Sequence, residues 1–110
     1  MNPKIKAKWV AALRSGEYAQ TKQHLQDKNG YCCLGVLCVM SEQENGFGIT
    51  ENHYENGDDE DICISIQQWA ELPSSSGAIV TIEGKRTSLT AHNDEGKTFL
   101  QIADAIEVEL

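Results

Sequence analysis

Residues 31–40 read YCCLGVLCVM, ten residues without a charge. A membrane-spanning helix needs about 20 apolar residues, so this run is too short to cross a bilayer and predicts an element buried in a protein core. We read it as a central helix from Cys33 to Ser41, apolar all round, with Gly35 and the small cysteine side chains letting neighbours approach closely. Three of the four cysteines, Cys32, Cys33 and Cys38, fall inside it, and the fourth is Cys63. Adjacent cysteines on a helix are poor disulfide partners, and no signal-peptide pattern precedes them. Reduced thiols in a cytoplasm are therefore expected.

The flanking sequence supplies enough elements for one small domain. Asn2 is placed to cap a helix that begins at Pro3 and stops at Gly16, with Ile5, Trp9, Ala12 and Leu13 on one stripe and Lys4, Lys8 and Arg14 off it. The turn signal DKNG (27–30) predicts a hairpin with strands at 22–26 and 30–32. Residues 42–61 are acidic and glycine-rich, so we expect a variable exposed loop there, with at most one strand near Gly48–His53. Ser65 and Gln68 have capping-box spacing for a short helix, carrying Ile66, Trp69 and Ala70, that Pro73 ends. AIVTI and KRTS about Glu83-Gly84 predict a second hairpin. Ser88 then caps a helical turn, and Thr98 with Gln101 caps a last helix bearing Phe99, Ile102, Ala103 and Ile106. The fold class is α+β, in a single domain over 1–110.

Charge is unevenly spread. The net charge is −8; residues 1–40 carry +4, while residues 41–62 hold eight acids and no base. Such a domain repels phosphate backbones, which disfavours nucleic acid and favours a basic protein partner. Glu55, Asp58, Asp59, Glu60 and Asp61 are the candidate partner-binding residues. Four cations, Lys22, Lys85, Arg86 and Lys97, are the alternative set, for an anionic ligand such as a signalling nucleotide.

Several motifs fail on their chemistry. AHNDEGKT (91–98) matches the permissive form of a phosphate-binding loop, but Asp94 and Glu95 would sit where phosphate charge belongs. Only twelve residues follow Thr98, too few for the sheet such a loop needs. A turn in which Gly96 takes an unusual backbone angle and Thr98 caps the next helix uses the same residues. Cys33, Cys38, Cys63 and three scattered histidines lack the two close ligand pairs of a structural zinc site. An EF-hand centred on Gly57 would need Tyr54 and Cys63 as oxygen ligands, which they cannot be. The last fifteen residues echo half of a helix-turn-helix, but no recognition helix follows Ile106. We expect no metal and no cofactor.

Two resemblances remain. Tyr31-Cys32-Cys33-Leu34-Gly35-Val36-Leu37 resembles the helix-start motif of the NlpC/P60 cysteine peptidases, which implies a hydrolase with Cys33 as nucleophile and His53 or His92 as base. WVAALRSGEYAQ, YCCLGVLCVM and LTAHNDEGKTFLQIADAIEVEL together, in that order, resemble a family of small proteins encoded by tailed bacteriophages. That resemblance implies expression in the cytoplasm of an infected bacterium and a non-enzymatic accessory role, binding and inhibiting a host or defence factor.

Overall fold

The structure, a computed structural model, describes residues 1–50 and 60–110. The first helix, α1 (Pro3–Arg14), starts as its sequence predicts: the Asn2 side chain accepts from the amides of Lys4 and Ile5, and Pro3 takes the first turn where no donor is needed. It buries Ile5, Trp9, Val10 and Leu13. Ala12 is only partly covered, so the buried stripe is turned slightly towards Val10. Gly16, at φ +76°, ends the helix.

The first hairpin is shorter than expected. Strands β1 (Gln26–Asp27) and β2 (Gly30–Tyr31) pair antiparallel around Lys28-Asn29, with Asp27 Oδ1 accepting the Asn29 amide at 2.7 Å. Residues 22–25 are not strand, because Gln23 sits at φ +67° and breaks the extended path. Helix α2 (Cys33–Asn45) follows, and Cys33 to Cys38 are all buried. Gly35 is obligatory: a Cβ there would lie 1.8 Å from the Leu25 carbonyl oxygen. The helix outlasts the predicted Ser41 by one turn and stops at Gly46 (φ +79°). Glu42 and Glu44 therefore belong to α2 rather than to a loop, and Lys8 of α1 donates to Glu44 across 2.6 Å. Of the stretch expected to hold a strand at 48–53, the described residues Ile49 and Thr50 are helical, and His53 lies outside the described residues.

Helix α3 (Ile64–Ala70) corrects a second expectation. Its N-cap is Cys63, with no side-chain cap bond, and Ser65 lies inside the first turn. Ile62, Cys63 and Ile66 are buried, so packing sets the register and the Ser65–Gln68 capping box does not form. The stop is Glu71 in the left-handed conformation (φ 57°), two residues before Pro73.

The C-terminal half follows its local signals. Strands β3 (Ile79–Ile82) and β4 (Lys85–Ser88) pair antiparallel about Glu83 (φ 51°) and Gly84 (φ 80°), a two-residue turn whose positive φ angles suit the strand twist. The Ser88 hydroxyl accepts the Ala91 amide to start α4 (Leu89–Asp94), and Thr98 and Gln101 form a complete capping box on α5 (Phe99–Glu109). α5 packs on α1 and β3, and α2 packs on α1 and α4. Trp9, Leu34, Leu37, Ile66, Val80, Ile102 and Ile106 fill the shared core. The described residues thus form one compact α+β domain of five helices and two antiparallel hairpins, and none of these helices is long and apolar enough to cross a membrane.

Candidate functional site

The three sequence blocks meet at one buried polar junction. Cys33 opens α2, where a helix leaves its first amides without partners. The amide of Cys33 donates to Asn93 Oδ1 at 3.2 Å, and its carbonyl accepts from Trp9 Nε1 at 2.9 Å. Asn93 is fully buried; its Oδ1 also accepts from Gln20 Nε2 (2.9 Å), and its Nδ2 donates to the Thr21 carbonyl (2.7 Å). Gln20 Nε2 also donates to the Lys97 carbonyl (2.7 Å), and its Oε1 accepts the Phe99 amide (3.1 Å). Asn93 and Gln20 escape a reading of the sequence. The one local signal is a polar residue, Asn93, beside Leu89 on the buried side of a six-residue helix.

The cysteine and histidine candidates belong to this core. Cys33 is fully buried and its Sγ points to the Leu89 carbonyl at 3.7 Å, not to an imidazole. Burial pushes its thiol well above the ordinary range, where the reactive thiolate is suppressed. Cys32 is pushed up to about 11 for the same reason, and its Sγ accepts the Gly35 amide, capping α2. His92 is fully buried with Nε2 2.9 Å from the Val80 carbonyl. That partner is an acceptor, so Nε2 carries the proton, and Nδ1 has no partner among the described residues. The expected Cys33–His92 pairing is thus not formed, and this is the setting of a packed thiol rather than of an activated one. The other proposed base, His53, lies outside the described residues.

The AHNDEGKT segment spends its amides internally. Gly96 N–H donates to the Asn93 carbonyl (3.2 Å), Lys97 N–H to the His92 carbonyl (3.0 Å), Thr98 N–H to Gln101 Oε1 (3.0 Å) and Phe99 N–H to Gln20 Oε1 (3.1 Å). A phosphate cradle needs such donors converging on an anion, and these are already taken. Gly96, at φ +98°, supplies the turn.

The four cations divide between two places among the described residues. Lys85 pairs with Glu95, Lys97 with Glu83 (3.2 Å) and Arg86 with Glu109 (3.1 Å), while Lys22 Nζ lies over Gly96. Hydrogen bonds from Lys97 and Lys85 hold the Glu83 and Glu95 carboxyls below their usual range. Lys22, Lys85 and Lys97 gather at the α4–α5 turn, whereas Arg86 joins the far end of α5.

Of the acidic candidates, Glu55, Asp58 and Asp59 lie outside the described residues. Glu60 is exposed. Asp61 is half-buried and accepts from the Ser75 hydroxyl (3.3 Å), beside the Ile62 amide bond to the Ser75 carbonyl, so it also anchors the chain that enters α3. Among the described residues no group of three or more His, Cys, Asp or Glu side chains could hold a metal ion.

The fold and the junction define a small α+β domain in which the most distinctive motifs hold the core together. The chain belongs to the family described as a domain of unknown function (DUF8296), whose model matches residues 1–110. No curated protein and no solved structure matches it.

Proposed function

We propose that the protein works by binding rather than catalysis, as an accessory protein that uses its acidic segment to engage a basic surface of a host or defence protein. The setting we propose is the cytoplasm of a bacterium infected by a tailed phage, the setting the resemblance of the three blocks implies. The observation that carries the reading is the partition of charge. Lys8, Arg14, Lys85, Arg86 and Lys97 are engaged by Glu44, Asp104, Glu107, Glu95, Glu109 and Glu83, all outside residues 51–61. Residues 51–61 hold six acids and no lysine or arginine, so negative charge is concentrated in this segment. A concentrated field of one sign steers a partner of the opposite sign.

Sequestration of an anionic nucleotide through Lys22, Lys85, Arg86 and Lys97 has weaker support, since three of the four already face a carboxylate.

The test is affinity capture from an infected host, with the protein compared against a variant in which Glu55, Asp58, Asp59, Glu60 and Asp61 become Gln or Asn. A partner retained by the first, released by added salt and missed by the second is the expected result. An identical set of captured proteins for both would end the proposal.

A further inference from the structure

A groove of about 610 Å³ runs along α1, with Glu107 of α5 at its rim. We propose that it receives α1 of a second copy of this chain, the two helices lying antiparallel about a twofold axis. Residues 51–61 take no part in this contact, so it goes beyond the binding role proposed above and the two can fail separately.

Helix α1 has two apolar faces. One, formed by Ile5, Trp9 and Leu13, packs into the core of its own chain. The other, Pro3, Ala7, Val10 and Arg14, lines the groove at steps of four, three and four, the spacing of a seam between paired helices. Pro3, Ala7, Ala11 and Arg14 are exposed, and Val10 is the buried floor beneath them. With alanine at 7 and 11, a second helix axis can approach to about 8 Å. Such a seam accepts many helices, and charge decides between them.

The two ends of the groove differ in sign. At the start of α1, Lys4 and Lys6 pair with no carboxylate among the described residues, and the positive pole of the helix adds to them. At the other end Arg14 is shared by Asp104 and Glu107, two carboxylates on one guanidinium, which leaves one negative charge in excess. A surface that is positive at one end and negative at the other complements itself when turned end for end, as a twofold contact requires. In the antiparallel pair Ala7 of each copy lies against Val10 of the partner subunit, and Lys6 approaches Glu107 of the partner subunit. The chain's net charge of −8 opposes association, but at about 0.15 M salt the Debye length is about 8 Å, so acids far from the seam are screened. The helix spans 12 residues, about 18 Å, so the contact is small and a dissociation constant of about 0.1 mM is expected.

Sedimentation equilibrium of the full chain in about 0.15 M salt, from about 20 μM to 1 mM, should show a monomer giving way to a dimer. Ala7→Gln adds bulk at the centre of the seam while keeping a good helix former, and should weaken association about tenfold. Lys6→Glu and Glu107→Lys should each weaken it as well. Mixed together, those two variants should associate about as well as the unmodified protein, because each supplies the charge the other lacks. A monomer at every concentration would overturn the proposal, as would a dimer indifferent to Ala7→Gln or single-charge variants that mixing does not rescue. Loss of the dimer when Glu55, Asp58, Asp59, Glu60 and Asp61 become Gln or Asn would also overturn it, by moving the contact to the acidic segment. If Ala7→Gln does not fold, the mixing experiment decides; if a charge variant does not fold, Ala7→Gln decides.

Discussion

Asn93 Oδ1 accepts the backbone amide of Cys33 at 3.2 Å across 60 residues of sequence. Helix α2 is therefore capped at its first turn by a side chain from another helix, and the cap is itself held by Gln20. Removing Asn93 leaves the Cys33 amide, the Thr21 carbonyl and one Gln20 donor without it in the junction. Asn93→Ala should cost about 3 kcal/mol or more, since each unsatisfied buried polar group costs about 1–3 kcal/mol. Urea unfolding followed by tryptophan fluorescence measures it; a loss near that of an ordinary surface substitution would show that the network is dispensable.

Gly35 and Gly46 make a matched pair. A Cβ on Gly35 meets the Leu25 carbonyl oxygen at 1.8 Å, whereas one on Gly46 meets nothing within 4 Å. Gly35→Ala should destabilise by about 3 kcal/mol, because helix α2 must move off residue 25. Gly46→Ala should cost about 1 kcal/mol, the strain of a left-handed backbone alone. Thermal melts of the two variants should keep that order.

Alkali should unfold the protein early. An unfolded cysteine ionises around its ordinary value of 9.0, while burial raises Cys32 to about 11 and pushes Cys33 and Cys38 up as well. Above that ordinary value the folded state holds protons that the unfolded chain releases. The stabilisation is whole below pH 9 and is lost as pH climbs through the folded values, by roughly 1.4 kcal/mol per pH unit for each thiol. Denaturant midpoints measured from pH 7 upward should fall over this window, and replacing Cys32 by Ala should flatten part of the slope.

Thr98 and Lys97 separate a cap from a phosphate loop. Thr98→Ala should lower stability by about 1 kcal/mol, as lost N-caps do. ATP with magnesium should leave the melting temperature of the unmodified protein unchanged, since the amides of Gly96, Lys97, Thr98 and Phe99 already have acceptors. A rise on adding ATP that Lys97→Ala abolished would restore the nucleotide reading.

Where a signal is local, the chain declares its structure. Asn2-Pro3, Glu83-Gly84 and Thr98 with Gln101 each act within a few residues, and α1, the second hairpin and α5 begin or turn where these signals stand. The misreadings have tertiary causes. Ser65 has capping spacing, yet burial of Ile62 and Ile66 moves the cap to Cys63. Gln23 carries no mark of the positive φ that cuts the first strand short. Glu42 and Glu44 look like loop residues until Lys8, 36 positions away from Glu44, is found beside it. The central junction was legible only in its parts: Trp9, Cys33 and Asn93 each lie in a distinctive block, but their contacts span 24 and 60 residues.

The junction also governs how the chain can be made. Gln20 and Asn93 are 73 residues apart, so a nascent chain cannot complete the start of α2 until residue 93 has been synthesised. Until then the run from Cys32 to Met40 is an exposed apolar segment that local pairing cannot shelter. Cotranslational folding should thus be a single late event, and a ribosome stalled before residue 93 should carry a protease-sensitive, chaperone-bound chain.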